Sequence, residues 1–123
     1  MDRFLVFKTR DELVRIKIER ILYFEAERNY TRLVLNNGIQ FVFAVNLGKI
    51  EEILENQIQD YTSTLLRVGK SYIINKNHVL QISLPKTTIL FSAADGKAKE
   101  LNVPKDPLKI LKETLEKELP ETK

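Results

Sequence analysis

The stretch Leu65–Val79, "LLRVGKSYIINKNHV", contains Gly69-Lys70-Ser71, the ending of a phosphate-binding loop, in which glycine lets backbone amides approach an anion and lysine meets its charge. Such a loop needs another glycine five positions before Gly69, and position 64 is Thr64. It also needs a helix opening at the Lys-Ser step, whereas "SYIINKN" reads as a β-like run followed by turn formers. The tripeptide is a coincidence of spacing. Glu25 and Glu27 alternate along one stretch and would share a strand face, as acid/base pairs can, but solvated face charges explain them. His78 is the single histidine and suits a turn or strand entry. No nucleophile elbow, His-Glu-x-x-His or Cys-x-x-Cys spacing occurs, so neither an enzyme nor a metal or cofactor site is expected.

The elements that position these residues follow from periodicity. "RFLVFKT" (3–9), "ELVRIKI" (12–18), "ILYFEAE" (21–27), "YTRLVLN" (30–36) and "IQFVFAV" (39–45) are branched or aromatic runs, several alternating with period two. Asn36-Asn37-Gly38 marks a hairpin turn. From Asn46, a natural cap, Leu47, Ile50, Ile53, Leu54 and Ile58 recur at helical spacing, which predicts an amphipathic helix over about 47–57. β-like pattern returns at Leu65–Ile74, at 78–84, 87–92 and 99–103, with turns at Pro85-Lys86 and Ala94-Asp95-Gly96. Asp106 is expected to cap a second helix opened by Pro107, with Leu108, Leu111, Leu115 and Leu119 as its apolar stripe and Pro120 as its stop. The fold class is α+β, mostly β: short antiparallel sheets with two helices.

Bulk properties bound the function. The 123 residues suit a single domain, 43% hydrophobic and 30% charged, with no cysteine and therefore no disulfide or thiolate chemistry. The charged N-terminal stretch has neither a leader's apolar core nor a spanning segment, so a cytoplasmic protein without membrane association is expected. A net charge of +3 permits a polyanionic partner. The 106–123 segment is slightly acidic, so the positive excess lies on the body.

The order of the pieces resembles the LytTR family of bacterial DNA-binding domains. Phe24-Glu25-Ala26, Asn29-Tyr30, Leu47-Gly48-Lys49-Ile50, Arg67, Lys70-Ser71-Tyr72 and Asn75 match its pattern in order, over about residues 3–118. Two departures stand out: Gly69 occupies a position that is usually histidine, and "NVPKDP" (102–107) replaces a turn often rich in serine and arginine. The resemblance implies about ten strands in short antiparallel sheets with two flanking helices. It also implies a response regulator-like transcription regulator that places loops, not a recognition helix, into successive major grooves of double-stranded DNA at promoter repeats. Relatives often carry a phosphorylatable receiver or a membrane segment; neither is expected within residues 1–123.

By position, three segments correspond to those loops: the 28–32 turn, the start of the first helix at Asn46, and the turn at Lys105. Arg28, Asn29 and Arg32 could hold phosphate or guanine, or form only a solvated strand edge. Thr31 could offer a hydroxyl or a methyl to thymine, and Tyr30 suits either loop or core. Asn46 is explained fully as a helix cap, and the resemblance adds a base or phosphate contact. Lys105, with no planar fork, suits a phosphate or a single-bond guanine contact of modest specificity. Lys49 and Lys70 are supporting cations, and Lys97 and Lys99 are weaker ones. Two copies on repeated half-sites, a homodimer on DNA, are a further expectation. The alternative function is a small protein-interaction module using a sheet edge or the stripe of the C-terminal helix.

Overall fold

Alternation of apolar and polar residues gives each strand two distinct faces, and here both faces of the central strands are covered. The computed structural model describes residues 3–94 and 96–119. Asp95 of the expected 94–96 turn and Pro120, the expected helix stop, lie outside the described residues. β1 (Phe4–Lys8) pairs with β2 (Leu13–Lys17) in a two-stranded sheet. β3 (Ile21–Glu27), β4 (Tyr30–Leu35), β5 (Gln40–Phe43), β6 (Leu65–Val68) and β7 (Tyr72–Asn75) form a five-stranded antiparallel sheet of order β5-β4-β3-β7-β6. β8 (Val79–Ser83), β9 (Thr88–Ser92) and β10 (Ala98–Asn102) form a three-stranded sheet of order β10-β9-β8. The helices are α1 (Leu47–Gln57) and α2 (Lys105–Glu116).

The five-stranded sheet is the middle layer. On one face Phe24, Leu33, Leu65 and Ile73 pack with Leu5, Phe7 and Ile16 of the small sheet and with Leu47, Ile50 and Leu54 of α1. On the other, Tyr23, Val34, Val68 and Ile74 pack with Ile89, Phe91 and Leu101, and with Leu108 and Leu111 of α2. A bulge between Ile21 and Tyr23 shifts the register of β3, so that Leu22 and Tyr23 both face the second core. The run "ILYF" is thereby buried throughout.

Local chemistry fixes the joints. The Asn46 carboxamide oxygen accepts the Lys49 N–H at 2.8 Å, the cap expected from the sequence. The side chain of Gln57 donates to and accepts from the backbone of Val6 at 2.7 and 2.8 Å, fastening the end of α1 to β1. Asn75, fully buried, accepts the Asn77 N–H at 2.9 Å and turns the chain out of β7.

Three expectations change. Leu65–Ile74 is not one run: the chain reverses at Gly69-Lys70-Ser71, with Val68 opposite Tyr72 in a hairpin. Gly69 permits this at φ +61°, a left-handed conformation that side chains resist. Nor does Asp106 cap α2. Pro104, with φ −52° and ψ 146°, is the cap residue and makes no side-chain capping bond, which leaves Asp106 inside the first turn near the positive end of the helix. The stripe of α2 ends at Leu115, for Leu119 is exposed.

A Cβ on Gly69 would stand 2.9 Å from Cγ of Pro107, a rigid ring, as well as in a strained φ. Gly69→Ala is therefore expected to lower unfolding free energy by about 1–3 kcal/mol in a urea titration. A neutral result would mean that the turn and α2 do not meet as described.

Candidate nucleic-acid interface

Antiparallel pairing gathers the loops. Glu27 lies opposite Tyr30, Thr31 opposite Phe43, and Glu25 opposite Tyr72. The Arg28-Asn29 turn, the 44–46 segment entering α1 and the 69–71 turn therefore share one end of the middle sheet. The Ala26 N–H donates to the Ser71 carbonyl at 2.8 Å across that end. The third sheet joins it: Tyr72 Oη donates to the Asn102 carbonyl at 3.2 Å, just before Lys105. Burial first, then the charge of Glu25, holds the Tyr72 phenol above its ordinary pKa, so it remains a donor.

The Arg28-Asn29 turn is tight. Arg28 has φ +57°, and both residues are exposed with no side-chain hydrogen bond among the described residues. Arg32 projects from β4 onto the sheet face, where Nε and Nη2 bind the two Glu27 carboxylate oxygens at 2.8 and 2.9 Å. Nη1 donates to Gln40 Oε1 at 2.9 Å. Three of the five guanidinium N–H groups are thus engaged, and the fork is braced in place with two left over. The sequence reading took Glu27 as a solvated face charge and did not single out Gln40. The signal was there, for alternation puts residues 27 and 32 on one face across a two-residue turn.

Thr31 differs from expectation. It is fully buried, and its hydroxyl donates to the Val45 carbonyl at 2.8 Å. It cannot present a methyl or hydroxyl to a ligand; instead it ties the start of β4 to the chain leading into Asn46. Tyr30, in contrast, is 51% exposed beside the turn and is not core. Asn46 is exposed, with Oδ1 committed to the cap. Lys49 is exposed, and its ammonium stands 3.9 Å from a Glu52 carboxylate oxygen. The amino groups of Lys70 and Lys105 are exposed and without a hydrogen bond or ion pair among the described residues. Lys97 sits at the other end, where Ala93 bonds to its carbonyl and Ala94 to that of Asn36, and Lys99 lies along β10. His78 is also remote, its Nε2 donating to the Glu19 carbonyl at 2.5 Å.

Among the described residues no His, Cys, Asp and Glu cluster could hold a metal, and no helix is long and apolar enough to cross a membrane. The LytTr DNA-binding domain family matches residues 11–116. The chain belongs to this family. A solved LytTr DNA-binding domain of a methyl-accepting/DNA response regulator from Bacillus cereus shares the fold, with a TM-score of 0.61 and 19% identity over 92% of this chain and 96% of that one. Among curated proteins no relative matches.

Within this LytTR domain Arg67, one of the matching residues, has a structural task. It donates to the carbonyls of Gly69 and Lys70 at 3.0 and 3.1 Å and pairs with Glu51 of α1 at 2.6 Å, bracing the turn that carries Lys70. The hydrogen bond from Arg32 holds the Glu27 carboxyl below its ordinary pKa, and the same bond raises that of Arg32. A depressed carboxyl contributes stability above the ordinary glutamate range and loses it as pH falls through the lowered folded value.

Two outcomes follow. Carboxyl NMR is expected to place the Glu27 midpoint below 4.5 and to return it toward the ordinary range in Arg32→Ala; equal midpoints in both proteins would mean that the pair does not form in solution. Thr31→Val is expected to cost about 1–2 kcal/mol by leaving the Val45 carbonyl unpaired. Full stability with altered DNA affinity would instead restore Thr31 to the interface.

Proposed function

We propose that this LytTR domain binds double-stranded DNA sequence-specifically as a bacterial transcription regulator, entering successive major grooves with the loops gathered at one end of its sheets. The observation that carries this reading is the convergence at that end of Arg28 and Lys70, exposed cations on braced turns, with Lys105, exposed at the first residue of α2. Phosphate contacts by these residues and Lys49 supply most of the affinity. Arg32 reads guanine with the N–H groups that Glu27 and Gln40 leave, and Asn29 takes a base edge beside it. Asn46 acts chiefly through the cap, aiming the start of α1 at the backbone.

Binding as two copies at promoter repeats, in the cytoplasm and without a cofactor, completes the proposal. The C-terminal stripe offers the interaction-module alternative less surface than its sequence suggested, since Leu108 and Leu111 are 0% and 3% exposed, which leaves Ile110 and Leu119 as that segment's open apolar positions among the described residues.

Selection from random duplexes is expected to enrich one motif. Affinity for the enriched duplex should fall with salt at a slope set by roughly four to six phosphates, each about −0.9 in log K against log salt. Arg32→Ala should cost about 1–3 kcal/mol and relax the preference at one position, whereas Lys105→Ala should weaken all sequences alike. Absence of enrichment together with salt-indifferent binding would overturn the assignment.

A further inference from the structure

The turn between β8 and β9, residues 84–87, has no part in the contacts proposed above, yet it reaches the same end of the molecule. Thr88 lies opposite both Ser83 and Asn102, so the turn stands beside the segment that leads from β10 to Lys105. The Val103 N–H donates to the Thr87 carbonyl at 3.0 Å, joining the two directly.

The turn is held firmly. The Thr87 N–H donates to the Leu84 carbonyl at 3.2 Å, and the Lys86 N–H to Ser83 Oγ at 3.3 Å. Pro85 removes a backbone rotation from its approach. Thr87 is a β-branched residue at φ +53°, a conformation that persists only where the surroundings over-determine it. What this turn presents is Lys86, exposed, with no side-chain hydrogen bond or ion pair among the described residues and no acidic residue anywhere from Ser83 to Ala94.

We infer that this turn is a further DNA-backbone site, with the Lys86 ammonium as ligand of a phosphate. Lysine is a compact charge without a planar fork, so the contact adds affinity and orientation and no base preference. Together with Lys105 on the joined segment, it places two cations along the same flank of the duplex. The inference rests on the DNA-binding reading, and the experiment separates the two.

Binding is measured against salt with the duplex enriched by the full chain, for wild type, Lys86→Ala, Lys86→Glu and Lys117→Ala. Lys117 follows α2 at the opposite end, next to the Glu118 that pairs with Lys76, and serves as the control. The expected result is a slope shallower by about 0.9 for Lys86→Ala, a larger affinity loss for Lys86→Glu, an unchanged motif, and a control that matches wild type. Wild-type slope in Lys86→Ala, or an equal change in the control, overturns this inference and leaves the domain's DNA binding standing. Salt-indifferent binding by wild type overturns both.

Discussion

A sheet buried on both faces has only its edges and ends left for a ligand, and the middle sheet of this domain is such a sheet. Phe24 is fully buried in one core while its neighbour Tyr23 is 3% exposed in the other. Burial in that second core, with nearby carboxylates, pushes the Tyr23 phenol up to about 12. With no open face at its centre, chemistry is displaced to the strand ends, and antiparallel pairing then decides which loops become neighbours. The cations at that end are therefore consequences of register: shifting β4 by one residue would bury Arg32 and expose Leu33.

The end that carries the cations also carries unusual backbone. Arg28, Gly69 and Thr87 have positive φ there; Asp60, beyond α1, shows that the feature is not confined to it. Each of the three turns is braced from outside itself. Arg67 holds the carbonyls of 69 and 70, Val103 holds Thr87, and Thr31 links the first turn to the entry of α1. Rigid turns lose little freedom on binding, as the proposed use of loops as recognition elements requires. The two departures from the family pattern also touch each other, for Gly69 leaves the space that Pro107 fills. A larger residue at 69 and a proline at 107 exclude one another in this geometry, so the glycine and the altered turn form one adjustment.

Most of the fold was legible in sequence because its signals are local. The first five strands alternate within short windows, Asn46 caps its own helix, and α1 spans Leu47–Gln57 as its spacing predicts. The errors lie mostly where a contact distant in sequence decides. Gly69 reads as strand until Pro107, far along the chain, is placed against it. Asp106 has the better capping side chain, but the geometry of Pro104 starts α2 two residues earlier. Thr31, expected in the loop, is buried with its hydroxyl on the Val45 carbonyl, and Tyr30, which suited either loop or core, faces out. The choice of loop segments came from the family resemblance, and the bracing of Arg32 by Glu27 and Gln40 needed the structure.

The central claim is that one end of the sheets meets DNA. Amide NMR of the chain titrated with its enriched duplex tests this most directly. The account predicts perturbations at residues 28–32, 44–49, 69–71 and 103–106, with residues 36–38 and 76–78 at the opposite end unmoved. Perturbations centred on the opposite end, or spread evenly over both, would contradict it.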